Sequence, residues 1–460
     1  MKGFVPTPAP IVDLMLEKLF SSCPPRSDST LLDPGCGRGE FIHGVIRWCA
    51  RMAAPMPKVV GIESDSAHAA AAAARFRGIH RVQIRRADFL HPAPERFDYI
   101  VGNPPYVPIT ELTVEERETY RKTYATAKGR FDLYILFFEQ ALALLKPHGR
   151  LVFITPEKFL YVETAAPLRR LLREMQVDEV HFLHEGTFEG LTTYPLITTI
   201  TGTGRSRPTR VIHRDGRTTL AQLDDPKASW LPAIRGAELD TGSLTLADLC
   251  VRISCGVATG ADSVFVVGDT ALDARLRAFA RPTISGRQMA LGRALEPLQS
   301  MLIPYTERGD LLAEPDLGDL GSYLSDPKRR ARLLARTCVA RKPWYAFHES
   351  PPMTEFLRPK VLCKDICASP FFVPDPTGNL VPRHSVYYIV PKDPTCLEAL
   401  TDHLNSSSVQ QWLYSHCQRA ANGFLRLQSH VLKRVPLPPS FKNFDHSTNE
   451  QPPQLEVQFA

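Results

Sequence analysis

Four groups of residues near the start of the chain have the types and spacing needed to hold a nucleotide-like ligand. Each follows a short apolar run, and in chain order they are Asp33 with Gly35 and Gly37, then Glu63, then Asp88 with Phe89, and finally Asn103 to Tyr106. Carboxylates accept hydrogen bonds from ribose hydroxyls and exocyclic amines, and an aromatic ring can lie against a purine. Because ligands bind beyond the carboxyl ends of strands in open α/β sheets, these groups predict one ligand site.

The last group ends an apolar run in the sequence FDYIVGNPPY, from Phe97 to Tyr106. The run predicts a strand covered on both faces, as in a parallel sheet. Pro104 and Pro105 stop this strand, because each lacks a backbone donor and has a fixed φ angle. Asn103 and Tyr106 are therefore expected on a stiff loop at the strand's carboxyl end. A proline-stopped surface turn is the alternative interpretation of this motif alone.

The first group lies between a predicted strand and a predicted helix. Leu31 and Leu32 indicate the strand, the sequence DPGCGRG forms a glycine-rich turn, and helical spacing begins at Phe41. Glycines let the backbone pass close to a ligand, and a helix N-terminus offers free amide donors. This pattern also fits other nucleotide-binding folds, so the ordered set of four groups is more specific than any one of them.

In that order the motifs resemble the S-adenosylmethionine-dependent methyltransferases, and in particular the gamma-class DNA adenine-N6 methyltransferases of the TaqI type. The matching segments are FVPTP, LLDPGCGRGEF, GIE, ADFL and NPPY. Two later segments continue the resemblance, KGRFDLYILFFEQALALL and FLHEGTFEGLTTYPLITTI. From about residue 246 the chain carries shorter pieces that are similar to the family's recognition domain.

The resemblance implies an α/β fold in two parts. The first is a Rossmann-like class I methyltransferase domain with a mostly parallel seven-stranded sheet, expected at residues 1–204. A connector at 205–245, containing a hairpin, leads to a mixed α+β target-recognition domain for DNA at 246–440. The final residues, 441–460, are polar and contain proline, and we expect them to be disordered.

The resemblance also implies a role for each site residue, with S-adenosylmethionine as the cofactor. The target adenine would be held by Asn103, Pro104, Pro105, Tyr106 and Phe188, the last of which faces the extruded base. The cofactor would be bound by Thr7, Asp33, Gly35, Gly37, Glu63, Asp88, Phe89 and Phe137. Thr7 and Asp33 would meet its methionine end, Glu63 its ribose, and Asp88 with Phe89 its adenine.

Composition restricts the class of protein. The chain has 460 residues, 43% hydrophobic and 23% charged, which is ordinary for a globular protein with two or three domains. No apolar run is long enough for a membrane span, and the N-terminus lacks a secretion signal, so we expect a cytoplasmic protein. We also expect a monomer. The ten cysteines form no metal or disulfide framework, and we predict no metal site.

The net charge of +6 permits a polyanionic partner, and most of the excess follows residue 200. We expect double-stranded DNA as the substrate, with a separately encoded restriction endonuclease as a candidate partner. Two alternatives stay open. One is an NPPY methyltransferase that modifies a protein glutamine or an RNA base, and the other is a methyltransferase-fold DNA-binding module without catalysis.

Overall fold

The computed structural model describes residues 5–91, 94–188, 194–202, 204, 207–236, 244–268, 272–289, 299–420 and 423–444. The chain divides into two compact units, Met1–Leu239 and Asp240–Ala460. In the described ranges no helix has both the length and the apolar composition that crossing a membrane requires.

The first unit is built on one nine-stranded sheet with the order β3-β2-β1-β4-β5-β7-β6-β8-β9. Its strands are β1 (Thr30–Pro34), β2 (Lys58–Glu63), β3 (Val82–Arg86), β4 (Phe97–Gly102), β5 (Leu145–Pro156), β6 (Gln176–Phe182), β7 (Pro195–Thr201), β8 (Thr209–Ile212) and β9 (Thr218–Ala221). The first five strands in chain order run parallel to one another, whereas β7 is antiparallel to both β5 and β6. Sequence patterns predicted β1, β2 and β4 within two residues of these bounds.

The predicted seven-stranded sheet is extended by two strands. The β8–β9 hairpin, which we expected in a connector, joins the sheet because β8 pairs in parallel with β6. The hairpin therefore belongs to the first compact unit.

Helices cover both faces of this sheet. They are α1 (Ala9–Phe20), α2 (Glu40–Arg51), α3 (Ser66–Arg75), α4 (Val114–Thr123), α5 (Leu133–Leu144), α6 (Ala166–Arg173) and the short α7 (Leu231–Arg235). Helix α5 is apolar around nearly its whole circumference, which is typical of a helix enclosed in a core. One apolar cluster holds α5 and α6, and another, on the opposite face, holds α1 and α2.

The two central strands, β1 and β4, place the site. Both are almost fully buried, and Leu31 of β1 lies opposite Tyr99 of β4. Asp98 ties the two strands together, since its Oδ2 accepts from the Thr30 N–H and Oγ1–H, each at 2.8 Å, and from Lys146 Nζ. The opposite ends of β1 and β4 are therefore brought side by side, with the glycine turn next to NPPY.

The second unit is mixed α+β, as predicted. Its strands are β10 (Cys250–Cys255), β11 (Val266–Gly268), β12 (Ala280–Ile284), β13 (Gln299–Leu302), β14 (Lys360–Lys364), β15 (Ile366–Cys367), β16 (Phe372–Asp375), β17 (Val381–Pro382), β18 (Val386–Pro391), β19 (Gln418–Arg419) and β20 (Leu425–Arg426). They form sheets ordered β10-β18-β14-β16, β11-β13-β12-β17 and β15-β20-β19.

The helices of the second unit pack on these sheets around two apolar clusters. They are α8 (Leu246–Leu249), α9 (Asp262–Phe265), α10 (Gly318–Leu324), α11 (Pro327–Leu334), α12 (Met353–Phe356), α13 (Leu397–Asn405), α14 (Ser407–His416) and α15 (Ser429–Leu432).

The start of the expected disordered tail is ordered. Pro439–Phe444 forms a 3-10 helix, and Phe441 is buried in an apolar cluster of the second unit. Phe441 packs against apolar residues of that cluster, and the polar composition of the segment did not indicate this contact. Residues 445–460 of the expected tail lie outside the described residues.

Candidate active site

A cavity of about 770 Å³ opens at the carboxyl ends of β1, β2 and β4. Many of the residues singled out in the sequence line its wall, namely Thr7, Gly35, Glu63, Asp88, Asn103, Pro105 and Phe137. The strand ends therefore meet, and residues from all four groups singled out in the sequence share one cavity.

Asn103 is oriented by the first described residues of the chain. Its Nδ2 donates to the Val5 carbonyl at 3.0 Å and to Thr7 Oγ1 at 3.2 Å. Turning the amide round would place Oδ1 against the Val5 carbonyl, so the observed orientation is favoured. Oδ1 is enclosed, and no described residue donates to it. Because an enclosed acceptor without a donor is costly, this oxygen is suited to a ligand N–H.

Asp33 is a second enclosed acceptor. Its side chain is fully buried, and neither carboxylate oxygen receives a hydrogen bond from a described residue. Burial, followed by the nearby Glu63 carboxylate, raises the pKa of Asp33 well above its usual range. Asp33 lies behind the wall of the cavity, where its Oδ1 would be 3.5 Å from a Cβ added at Gly102. A ligand ammonium group would supply both the missing charge and the missing donors.

Glu63 fixes the glycine turn. One of its oxygens accepts from the Gly37 N–H and the other from the Asp65 N–H, each at 2.8 Å. Gly37 is therefore held against the Glu63 carboxylate and does not line the cavity, whereas Gly35 does. Each carboxylate oxygen keeps a second lone pair, so Glu63 can still accept from a ligand's hydroxyl groups.

The residues predicted to bind the adenine of the cofactor form two layers. Asp88 and Phe137 line the cavity, while Phe89 is buried beside it with its ring centroid 4.9 Å from that of Phe137. Phe89 thus supports the ring that faces the cavity. Asp88 accepts from the Leu90 N–H at 2.9 Å, which orients its carboxylate.

Two aromatic residues predicted to hold the target base lie next to each other. The rings of Tyr106 and Phe188 are 6.4 Å apart and nearly perpendicular, and Tyr134 contacts Tyr106 at 6.5 Å. The Tyr106 hydroxyl donates to the Ile154 carbonyl at 3.4 Å, and burial raises its pKa. Phe188 is distant from NPPY in sequence, so the fold brings the two rings together. Neither ring lines the cofactor cavity.

Other residues of the cavity wall were not identified from the sequence. Arg38 lies within the glycine-rich motif, and its charge at that position could have indicated a wall residue. Glu116 and Tyr120 come from α4, a polar helix without buried residues, and nothing in its composition distinguishes it from a solvated surface helix. Burial, Asp88 and Glu116 together raise the pKa of Tyr120 to about 12.

These features fit S-adenosylmethionine. The enclosed Asp33 carboxylate suits its ammonium group, Glu63 its ribose, and Asp88 with Phe137 its adenine. Gly35 has a φ of +75°, which a residue with a Cβ rarely adopts, and leaves room for the ligand near the turn. Thr7, Gly35, Glu63, Asp88 and Phe137 thus line a single cavity, and the Asp33 carboxylate lies behind its wall.

Comparisons with known proteins relate the chain to restriction-modification methyltransferases. Residues 67–188 match the family model described as Eco57I restriction-modification methylase. The Type II methyltransferase M.PaeR7I of Pseudomonas aeruginosa is 27% identical, with 95% of this chain and 86% of that protein covered. The Type II methyltransferase M.XhoI of Xanthomonas vasicola is also 27% identical, with coverage of 78% and 72%.

Among solved structures, the cryo-EM structure of the DrdV–DNA complex aligns with 96% of this chain at a TM-score of 0.51 and 15% identity. The alignment covers 56% of that protein, so the present chain spans little more than half its length. At this identity the likeness concerns the fold. The predicted resemblance to restriction-modification methyltransferases is confirmed: the chain is similar to Type II methyltransferases over most of its length, and it has the class I methyltransferase fold.

Proposed function

We propose that this protein is a site-specific DNA methyltransferase that transfers a methyl group from S-adenosylmethionine to N6 of an adenine extruded from duplex DNA. It would serve as the modification component of a restriction-modification system. In this proposal the second unit reads the DNA sequence, the enzyme acts as a monomer, and a separately encoded endonuclease recognises the same site.

The observation that carries the proposal is the orientation of Asn103. Its amide nitrogen is used by Val5 and Thr7, so its enclosed Oδ1 is left to accept a hydrogen from a substrate amine. Adenine N6 is a poor nucleophile because its lone pair is delocalised into the ring. Acceptance of its two hydrogens by Asn103 Oδ1 and the Pro104 carbonyl favours localisation of that lone pair.

Bound S-adenosylmethionine supplies an electrophilic methyl group on a sulfonium centre. The chain's own contribution is positioning and polar stabilisation, and the NPPY motif contains no strong general base. Pro104 and Pro105 keep the loop stiff, so Asn103 does not need to be ordered when the substrate arrives.

Tyr106 and Phe188 would hold the extruded base. Stacking on an aromatic side chain is worth roughly 1 to 3 kcal/mol per base. That stabilisation offsets part of the few kcal/mol required to extrude a base from the duplex.

The relatives support DNA over the alternative substrates. The likeness to M.PaeR7I extends over 95% of the chain, including the second unit. By contrast, the release factor glutamine methyltransferase of Caulobacter vibrioides matches only 31% of it. A protein substrate would leave the extended likeness of the second unit unexplained.

The decisive test is sequencing that reports methylated bases in DNA from cells that produce the protein. We expect N6-methyladenine at one short sequence, and methyl groups on cytosine N4 would overturn the choice of base. Asn103→Ala should lower turnover at least 100-fold, because transition-state positioning is lost. Its affinity for S-adenosylmethionine, measured by calorimetry, should stay within a few-fold of the parent, and an equal loss of both would indicate a structural loop.

A further inference from the structure

An ion pair with a buried carboxylate lies at the carboxyl end of β5 and has no role in the chemistry above. Glu157 follows the end of β5 and is 1% exposed, and its Oε2 accepts from Arg214 Nη2 at 2.5 Å. Arg214 comes from the turn between β8 and β9, more than fifty residues later in the chain. The other carboxylate oxygen of Glu157 receives no hydrogen bond from a described residue. Glu157 therefore depends on Arg214 to compensate its buried charge.

The same ion pair contacts the chain on both sides of Phe188. Before it, Arg214 Nε donates to the Leu183 carbonyl at 3.0 Å, just after β6 ends. After it, the guanidinium carbon of Arg214 lies 5.3 Å from the ring centroid of Tyr194, just before β7 begins. Glu157 adds a second contact there, because its N–H donates to the Tyr194 carbonyl at 2.9 Å.

The residues held in this way lead directly to Phe188. Leu183 and Phe188 are buried in the same apolar cluster, and the Thr187 N–H and Oγ1–H both donate to the His184 carbonyl. Segment 183–188 is therefore short, internally bonded and attached at its start to Arg214. Tyr106 is fixed from the other side, through the Ile154 carbonyl of β5.

We propose that Arg214 and Glu157 are positioning residues for the target base. They connect the carboxyl end of β5 to the end of β6 and the start of β7, and they thereby set the distance between Phe188 and Tyr106. The inference rests on the proposed function, since it assigns these rings to the extruded adenine. The proposal also assigns a function to the β8–β9 hairpin, because the hairpin supplies the guanidinium that joins the three segments.

This positioning requires a guanidinium group, whose several N–H donors lie in fixed directions. A lysine at position 214 keeps one positive charge but cannot donate to Glu157 and Leu183 in the same geometry. In Arg214→Lys we expect kcat/KM for DNA methylation to fall about 10- to 100-fold, since small displacements of a positioned group have effects of that size. The Kd for S-adenosylmethionine should change less than about two-fold, because its cavity does not include these residues.

The control is Arg217→Lys in the same hairpin. Arg217 is 58% exposed in its side chain and pairs with the exposed Asp215, so its replacement should leave methylation and cofactor affinity at the parent's values. A loss equal to that of Arg214→Lys would mean that any change in the hairpin is harmful, and it would overturn the specific role of Arg214.

A double-mutant cycle with Phe188→Ala separates positioning from general stability. If Arg214 acts through Phe188, Arg214→Lys should cause less than about a three-fold further loss in the Phe188→Ala background. The same fold loss in both backgrounds would overturn the proposal. The fluorescence of 2-aminopurine at the target position provides a second readout, and Arg214→Lys should change its intensity in the direction that Phe188→Ala does.

Hydrogen exchange distinguishes failure of this inference from failure of the proposed function. Amides of residues 183–188 should exchange faster in Arg214→Lys than in the parent or in Arg217→Lys, whatever the substrate is. If the parent methylates no DNA, the proposed function fails, while this measurement still decides whether Arg214 orders the segment. Unchanged exchange together with unchanged kcat/KM would overturn the role of the ion pair.

Discussion

The buried and unpaired carboxyl of Asp33 destabilises the ligand-free protein, and this has a consequence for pH. A buried carboxyl whose pKa is raised binds its proton more tightly in the folded than in the unfolded state. The free energy of unfolding therefore falls as the pH rises from the ordinary range of aspartate through the raised pKa. The contribution of this carboxyl to the free energy of unfolding of the ligand-free protein should therefore be smaller at pH 8 than at pH 5.

Asp33→Asn removes that penalty together with the charge that we propose for binding the ammonium group of the cofactor. We expect the variant without ligand to melt at a higher temperature than the parent at pH 8, and the difference to shrink as the pH approaches 4. Its affinity for S-adenosylmethionine should fall by roughly 1.5 to 3 kcal/mol, about 10- to 150-fold, because a charged acceptor is lost. Calorimetry and thermal melting across pH check both expectations.

The exposed Asp28 offers a control, since Asp28→Asn should change neither quantity. Undiminished cofactor affinity in Asp33→Asn would contradict the assignment of this residue. A melting temperature equal to the parent's at every pH would contradict the stated cause of its raised pKa.

Residues were predictable from the sequence where a local pattern marks them. Glu63 and Asn103 follow apolar runs, and the runs show where strands end. The pairing of Asn103 with Val5 and that of Glu157 with Arg214 have no such signal, because the partners lie far apart along the chain and only the fold brings them together. The roles of the predicted residues in binding and catalysis stay predictions until they are tested.

At the scale of elements, the glycine turn before α2 requires a residue that can adopt a positive φ and that has no side chain to meet its neighbours. Gly39 has a φ of +84° and caps α2, and a Cβ placed there would lie 2.3 Å from the Phe76 ring. Gly39→Ala should therefore destabilise the fold by about 2 to 4 kcal/mol, through strain and displacement of that ring. Because the turn begins the cofactor site, affinity for S-adenosylmethionine should fall as well.

Gly78 separates the two causes. It has a similar φ of +88°, but a Cβ there meets no atom within 4 Å. Gly78→Ala should cost only the backbone strain, about 1 kcal/mol, and leave cofactor affinity unchanged. Equal losses of melting temperature in the two variants would mean that contact with Phe76 is unimportant.

Elements were predicted well where hydrophobic period and turn residues agree. The strand Lys58–Glu63 and the helices around residues 11–20 and 41–50 were found with small differences at their ends. The edge position of the β8–β9 hairpin was missed, because a hairpin has the same sequence whether it stands alone or joins a sheet. Pairing across a sheet is a long-range choice that the local pattern does not contain.

For the whole molecule, the division into two units predicts a division of labour. The first unit contains every wall residue of the cofactor cavity and has its own apolar clusters. A fragment of residues 1–239 should unfold cooperatively and bind S-adenosylmethionine within a few-fold of the full chain. It should lose sequence-specific DNA binding, which a filter or mobility assay would measure. Retained specificity in the fragment would place DNA reading in the first unit.

The full chain should show the salt dependence of a DNA-binding protein. Contacts with phosphates release counterions, so the logarithm of the binding constant should fall linearly and steeply with the logarithm of salt concentration. Binding of S-adenosylmethionine, measured in the same buffers, gives the reference with a shallow slope. A flat line for DNA would contradict a nucleic-acid substrate.

The insertion of β7 between β5 and β6 affects how the protein is made. Strand β6 pairs only with β7 and β8 among the described strands, and both are synthesised after it. During translation β6 therefore leaves the ribosome with no neighbour to join, while the edge of β5 is still open. At about 5 to 20 residues per second the wait is short, but a ribosome pausing between residues 183 and 195 would prolong it. Synonymous codons in this interval should thus alter the yield of folded enzyme more than those elsewhere in the first unit.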